Sequence, residues 1–303
     1  MTRCAGIALC WILLSLTPTG SFAGGTATAN EAASPLIGDD GGLGSDVFDA
    51  VGSTALHLGT DFYEQLSYPF VLAGRDRSRF LLGSAGIVAL ILTDRFTYQP
   101  MAHPPFLPDE SLVGPARTLS NLGNTRNAIP LVLGFGAAGL ITGSHREKQT
   151  SIMLAEALVT SGVWTSLLKY ASGRERPREM QEAVADWTGP GGAFADDDTR
   201  GGHASFPSGH ATGIWAAATV LAHQYPQGRV VPIAAYGTAA AISYSRMVVG
   251  AHFLSDVVVG GLIGYGCARQ VIGAHERSEG PSRFHLLYEP SGDEQRVGLA
   301  MDF

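Results

Sequence analysis

The sequence contains few cysteines, and this shortage excludes one broad class of protein. Cysteine accounts for 3 of the 303 residues. Cys4 and Cys10 lie in an apolar N-terminal run that is expected to be removed, so Cys267 remains alone. A single cysteine cannot form an internal disulfide, which excludes a small fold stabilised by disulfides. Cys267 lies in an apolar helical stretch and is predicted to be a small core residue.

Charged residues are scarce as well, at 16% of the chain, and the formal net charge is -7. Binding to nucleic acid needs a broad basic surface that faces the phosphate backbone, so nucleic acid is not expected as a partner. Hydrophobic residues make up 45% of the chain, which is enough for a sizeable core. The 39 glycines indicate closely packed helices with many small side chains.

The sequence also contains no long hydrophobic run. Six apolar segments with helical periodicity each extend for about 12 to 18 residues. An ordinary membrane span needs ~20 residues. The segments predict an all-α fold, a six-helix bundle. They are Phe80–Thr93, Ala128–Ser144, Ser151–Leu168, Ala211–Ala222, Val230–Tyr244 and Phe253–Ala268.

Turn-forming residues separate these segments. Turns are predicted at Pro100–Pro108, His145–Lys148 and Tyr225–Arg229, between successive apolar segments. Within the last segment, Gly260 and Gly264 have the GxxxG spacing that lets two helix backbones approach closely.

Both ends of the chain differ from the apolar middle. One arginine, an apolar run and the small-x-small sequence Ser21–Ala23 predict a secretory signal peptide over residues 1–23. Residues 24–45 are predicted to be a flexible lead-in, residues 46–280 the helical domain and residues 281–303 a hairpin-like tail. In that tail, alternation from Arg296 onward and a turn at Pro290–Asp293 predict a β-hairpin with Phe284–Tyr288.

Three short motifs carry candidate chemistry, and the first is basic. Lys169 stands seven residues before Arg176, which is followed by proline. A lysine gives a point charge and an arginine a planar fork, and together they suit the oxygens of one phosphoryl group. Arg174 and Arg178 extend this cluster. The alternative is that basic residues at a helix end merely complement the helix dipole.

The second motif, Ser208-Gly209-His210, opens the fourth apolar segment. A helix N-terminus with free backbone N–H groups favours an anion, and His210 beside it could donate a proton to a leaving oxygen. The third motif contains Arg246, His252 and Asp256. His252 and Asp256 are four residues apart, so Asp256 is predicted to accept from Nδ1 and leave Nε2 free as a nucleophile. An ordinary N-cap and a structural His-Asp pair are the alternatives.

Together the three motifs resemble, in order and without a missing position, the signature of the type 2 phosphatidic acid phosphatase (PAP2) superfamily. This superfamily also contains bacterial non-specific acid phosphatases and vanadium-dependent haloperoxidases. The resemblance covers roughly residues 80 to 270. It implies that His252 forms a phosphohistidine, Asp256 orients it and His210 is the general acid. It further implies phosphate binding by the following residues: Lys169, Arg176, Ser208, Gly209 and Arg246.

The resemblance implies a metal-independent phosphatase that acts on phosphate esters, with lipid phosphates such as phosphatidic acid or polyprenyl pyrophosphate as the expected substrates. No metal or cofactor is expected, and vanadate is expected to occupy the phosphate site as an inhibitor. A soluble non-specific acid phosphatase, a vanadium haloperoxidase and a non-catalytic binding protein are the alternatives. Motifs of other hydrolases, HExxH and GxSxG, do not occur in the sequence.

The resemblance and the signal peptide conflict over location. The signal predicts export to the periplasm or to the periplasmic side of the cell envelope, with the membrane as an expected partner. An exported N-terminus followed by six true spans would put the site inside. The cationic stretches Arg75–Arg79 and His145–Lys148 instead fit the orientation of membrane-bound relatives. The sequence leaves two solutions, a periplasmic protein without full spans or a bundle in which an early segment does not cross.

Overall fold

A computed structural model of the chain describes residues 74–102, 110–180, 185–190, 203–278, 284–291 and 294–301. In these ranges the structure contains seven α-helices and one two-stranded sheet. The helices are α1 (Gly74–Ala102), α2 (Glu110–Leu122), α3 (Ala128–Thr142), α4 (His145–Ser172), α5 (Gly209–Gln224), α6 (Val230–Val248) and α7 (Leu254–Ser278). The predicted signal peptide and lead-in lie outside the described residues.

The all-α prediction is confirmed, and each of the six predicted segments coincides with a helix. Helix α5 lies at the centre, where it contacts α4, α6 and α7. Helix α4 also contacts α7, while α1 packs on α7, α2 on α6 and α3 on α4. The central position of α5 places its N-terminus among the ends of its three neighbours.

The close approach predicted for Gly260 and Gly264 is confirmed at the contact between α7 and α5. A Cβ atom on Gly260 would collide with the carbonyl oxygen of Ser208, and one on Gly264 with that of Thr212. Glycine therefore lets α7 lie directly against the start of α5.

Two apolar clusters fill the bundle. One lies near the N-terminus of α5 and consists of Ile87, Trp164, Leu168, Phe206, Val259, Ile263 and Cys267. Cys267 is 1% exposed in this cluster, which confirms its prediction as a core residue. The other lies further along α4, α5 and α7 and consists of Met153, Leu154, Ala157, Ala216, Ala217, Val220, Ala268, Val271 and Ile272.

Three parts of the helix prediction were wrong. Helix α2 was missed because its sequence mixes apolar and polar residues around Pro115. The turn predicted at His145–Lys148 is the first turn of α4, where the hydroxyl of Ser144 bonds the carboxylate of Glu147. The turn predicted from Pro100 begins too early, because α1 continues to Ala102.

Five of the six predicted segments were too short, and the segment Ala128–Ser144 was two residues too long. Helix α1 has 29 residues, α4 has 28 and α7 has 25. Polar residues at the ends of these helices break the apolar periodicity but not the backbone hydrogen bonds. Two helices, His145–Ser172 and Leu254–Arg277, are long and apolar enough to cross a membrane.

The C-terminal hairpin is present. Strand β1 (Phe284–Ser291) pairs antiparallel with β2 (Glu294–Met301), and Phe284 lies opposite Met301. The pairing extends further along both segments than the sequence predicts.

Candidate active site

The three motifs meet at one end of the bundle, where α4 and α6 end and α5 and α7 begin. Helix α4 ends at Ser172, and Gly173 turns the chain with a φ of 53°. A side chain at Gly173 would collide with Thr188, so the turn requires glycine. Beyond this turn the chain carries Arg176 back toward Lys169.

Lys169 and Arg176 converge on a single backbone oxygen. The Lys169 Nζ donates to the carbonyl of Ala204 at 2.5 Å, and Nη2 of Arg176 lies 3.4 Å from the same oxygen. Arg176 Nη1 also lies 3.5 Å from the carbonyl of Ala251. The two cations of the first motif therefore face one point, as the phosphate-binding prediction requires.

Ser208 begins α5 as its N-cap. Its hydroxyl accepts from the Ala211 N–H at 3.4 Å, and its own N–H donates to the Asp256 carbonyl at 2.9 Å. Gly209 and His210 occupy the first turn of α5, and both are half-buried. Backbone N–H groups at this helix N-terminus favour an anion beside His210.

His252 and Asp256 lie together, but the geometry differs from the predicted helical turn. His252 precedes α7, while Asp256 lies in its first turn, and His252 Nδ1 is 3.6 Å from Asp256 Oδ2. The same oxygen accepts from the N–H of Phe253 at 2.8 Å, as in a capping box. Asp256 thus fixes the backbone that carries His252. Both side chains are buried.

Asp256 is held by a buried network that the sequence did not predict. Its Oδ1 accepts from Arg174 Nη1 at 2.7 Å, and its Oδ2 accepts from Ser205 Oγ at 2.6 Å. Arg174 also bonds Asp94 of α1 at 2.9 Å, and the Ser255 N–H donates to Asp94 at 3.1 Å. One arginine therefore pairs with two buried carboxylates from distant parts of the chain.

The arginine cluster at residues 174–178 divides between three environments. Arg174 is buried, with its guanidinium 4.0 Å from the ring centroid of Phe253. Arg178 is exposed and pairs with Glu179 at 2.9 Å. Of the three arginines, only Arg176 lies with the other candidate phosphate ligands. The sequence does not predict which arginine is buried, because Asp94, a partner of Arg174, is 80 residues away from it.

Arg246 reaches the site from the end of α6, and the hydroxyl of Ser120 in α2 accepts from its Nη1. Among the described residues, the buried Nε of Arg246 and Nδ1 of His252 have no hydrogen-bond partner. Helix α2 therefore contributes to the site through Ser120.

The electrostatic potential at the candidate site is positive. Burial, together with the nearby Arg246, Arg176 and Lys169, lowers the pKa of His210 to about 4. Burial likewise lowers the pKa of His252 to about 3, although Asp256 opposes that shift. With these pKa values, both imidazoles are neutral at pH 7. A neutral His252 can act as a nucleophile, and an anion would compensate the surrounding cations.

The opposite end of the bundle carries other basic residues. Arg146, in the first turn of α4, donates to the carbonyl of Gln224 at the end of α5 at 2.8 Å. Lys148 lies in the same turn, and Arg229 precedes α6. Arg77 lies near the start of α1, about 25 Å of helix rise before Asp94.

The central part of the chain matches a known family of phosphatases. Residues 150–279 match the family model of the PAP2 superfamily. This segment contains every motif residue from Lys169 to Asp256. This segment is therefore similar to the PAP2 superfamily, the family that the three motifs resemble.

Two curated relatives are lipid A 1-phosphatases. The protein from Rhizobium johnstonii is 36% identical over 103 residues, which are 34% of this chain and 38% of the relative. The protein from Rhizobium etli is 36% identical over 108 residues, which are 35% of this chain and 42% of the relative. The chain thus spans about two fifths of the length of the curated relatives it matches.

Two solved structures are similar to the bundle. Aquifex aeolicus LpxE gives a TM-score of 0.45 at 22% identity over 61% of this chain and 95% of that one. A transmembrane PAP2-type phosphatidylglycerolphosphate phosphatase from Bacillus subtilis gives 0.43 at 18% identity over 64% and 98%. Both TM-scores lie below 0.5, so neither likeness bears on the activity of this chain.

Proposed function

We propose that the protein is a metal-independent phosphatase that hydrolyses lipid phosphate esters through a phosphohistidine. The observation that carries the proposal is the convergence of Lys169, Arg176 and Arg246 around two neutral histidines. Phosphoryl transfer needs charge stabilisation more than covalent chemistry, and these three basic side chains can supply it.

In the first step, Nε2 of His252 attacks phosphorus and the bond from phosphorus to the leaving oxygen breaks. His210, protonated once the bound phosphate compensates the surrounding cations, donates a proton to that oxygen, so the product leaves as an alcohol or as an organic phosphate. Asp256 stabilises the positive charge on the imidazole, and Lys169, Arg176 and Arg246 hold the other phosphoryl oxygens.

In the second step, water attacks the phosphohistidine. His210, now neutral, accepts a proton from the water as its oxygen bonds to phosphorus. The N–P bond breaks, inorganic phosphate leaves and His252 returns to its neutral form. The protons given and taken by His210 balance over the cycle.

A lipid substrate is supported by the surface of the bundle. Six of the seven described helices expose large apolar side chains, while the central α5 has no exposed residue. Leu82 is 74% exposed, Ile141 85% and Val230 71%. Apolar surface on this scale fits a hydrocarbon environment better than water. The lipid A 1-phosphatases among the relatives act on a lipid phosphate by name, which agrees with this proposal.

The basic end of the bundle supports an orientation in the membrane. Arg77, Arg146, Lys148 and Arg229 lie at the end away from the motifs. Positive residues favour the cytoplasmic side. We infer that the protein lies in the cell envelope with its site on the periplasmic side.

Substrate assays with the His252→Ala variant test the activity. The wild type should release phosphate from phosphatidic acid, polyprenyl pyrophosphate or lipid A, without loss in EDTA and with competitive inhibition by vanadate. His252→Ala should abolish turnover, whereas His223→Ala, a change at the opposite end, should leave it unchanged. Acid-labile labelling of the wild type by radioactive substrate would identify the phosphohistidine. An active His252→Ala variant, or wild-type activity lost on chelation, would contradict the proposal.

A further inference from the structure

An apolar groove leaves the candidate site along the outside of α4. It encloses about 680 Å³ between α4 and α5, and it begins at Lys169 and Gly209. Its far end is formed by Leu158 and Val159. At 1.5 Å of helix rise per residue, the part from Leu158 to Lys169 is about 17 Å long.

The outer rim of the groove is a stripe of exposed apolar side chains. Val159, Val163, Leu167 and Tyr170 follow one another at helical spacing on one face of α4. Each of the four is between 40% and 52% exposed. Water would be a poor partner for such a stripe, and a hydrocarbon chain would be a good one.

The polar groups in the groove wall are already satisfied within the protein. The hydroxyls of Ser161 and Ser166 donate to carbonyl oxygens four residues earlier in α4, at 2.5 and 2.9 Å. The Thr165 hydroxyl donates to Thr212 at 3.0 Å. The wall therefore offers few polar partners to a ligand and presents mainly hydrocarbon.

We propose that this groove holds the hydrocarbon chain of the lipid whose phosphate binds beside Lys169. The inference rests on the proposed function and adds where the hydrocarbon chain of the lipid lies. The groove is continuous with the phosphate end, because Lys169 and Gly209 line both. The ligand of the groove is therefore part of the molecule whose phosphate binds there. A lipid with its phosphate at this end would lay its chain against the apolar stripe.

Two glycines allow the groove to be filled without disturbing the backbone. A Cβ atom on Gly162 of α4 would meet no atom within 4 Å, and one on Gly213 of α5 would lie 3.8 Å from Leu158. Leucine at either position would occupy the groove. Gly237 of α6 is exposed, has the same open space and lies outside the groove, so Gly237→Leu is a matched control.

The test compares two substrates of the purified full-length chain in detergent micelles: long-chain phosphatidic acid and a short-chain, water-soluble phosphatidic acid. Gly162→Leu and Gly213→Leu should each lower kcat/KM for the long-chain lipid about tenfold, the effect of losing contact with one or two methylene groups. For the short-chain ester, kcat/KM should change by less than about twofold. Gly237→Leu should change neither value.

Three results would overturn the inference. The first is an unchanged kcat/KM for the long-chain lipid in both folded variants. The second is an equal loss on both substrates, which would indicate damage to the phosphate site. The third is a lower melting temperature of both variants with unchanged rates. This result would indicate that another segment of the protein, and not the lipid, occupies the groove. A wild type inactive on both substrates would refute the proposed function itself. The two variants lie in different helices, so misfolding of one leaves the other informative.

Discussion

At the scale of single residues, the candidate site separates groups that face a substrate from groups that only hold others in place. The candidate phosphate ligands Lys169, Arg176 and Arg246 belong to the first kind, since all three lie close enough to His210 to lower its pKa. Arg174 belongs to the second, because its guanidinium is used by Asp94 and Asp256. The sequence cannot separate the two kinds, since all four residues are basic and adjacent to helix ends.

Arg174→Met should destabilise the protein by about 3–5 kcal/mol, because it leaves two buried carboxylates without their cation. The free energy of unfolding can be measured by denaturant titration in detergent. Arg178→Met is the matched control, and its exposed ion pair with Glu179 contributes at most about 1 kcal/mol. Equal effects of the two substitutions would show that the network around Arg174 contributes no special stability.

The pH dependence should depend on the leaving group. Burial and neighbouring cations lower the pKa of His210 to about 4, so the acid form needed to protonate a leaving oxygen is lost as pH rises. An alkyl phosphate needs that proton, whereas p-nitrophenyl phosphate does not. The ratio of kcat/KM for the alkyl ester to that for the nitrophenyl ester should therefore fall between pH 5 and pH 8.

Each kcat/KM must first be referred to the dianion of its ester, because a nitrophenyl phosphate loses its second proton at a lower pH than an alkyl phosphate. In His210→Ala the ratio should be lower throughout and independent of pH. A constant ratio in the wild type would contradict the role of His210 as general acid.

At the scale of secondary structure, the helix termini build the site. Ser208 caps α5, Phe253 and Asp256 cap α7, and Gly173 ends α4, so local sequence preferences place three motif segments at one end. This part could be predicted, because capping and turn residues act over a few positions. The contributions of α1 and α2 could not, since Asp94 and Ser120 reach the site only through packing between distant segments.

Helix α2 offers a test of this packing. A Cβ atom on Gly123, which follows α2, would collide with Ile242 and lie 3.4 Å from the His210 ring. Gly123→Ala should therefore displace His210 and lower kcat/KM roughly tenfold. Gly114→Ala, in a part of α2 with no atom within 4 Å of the added Cβ, should keep full activity. Full activity in Gly123→Ala would show that α2 does not set the position of His210.

At the scale of the whole molecule, the apolar exterior and the basic end predict behaviour in cells. The protein should stay with the membrane fraction after washing with high salt or carbonate and be released by detergent. Release by carbonate alone would favour a peripheral protein. Retention in the membrane is expected because α1, α3 and α6 expose apolar side chains. The sequence pattern of a single helix does not predict this exposure, since exposure depends on how the helices pack.

The orientation can be tested by labelling with a membrane-impermeant maleimide in a chain whose native cysteines are replaced by serine. Trp187 lies beside the site, and Gln227 lies at the basic end. Trp187→Cys should react in cells with a permeable outer membrane, whereas Gln227→Cys should react only after the inner membrane is opened. The reverse pattern would place the site in the cytoplasm.

The carboxylate of Asp256 has a further consequence for how the protein is made. It receives hydrogen bonds from Arg174, Ser205 and Phe253, and through Arg174 it is tied to Asp94 of the first described helix. The group that orients the proposed nucleophile is therefore complete only when early and late parts of the chain have docked. A half-folded or truncated chain would lack an aligned His252, so turnover itself would report that folding is finished. A cell envelope would thereby be protected from indiscriminate dephosphorylation by incomplete copies.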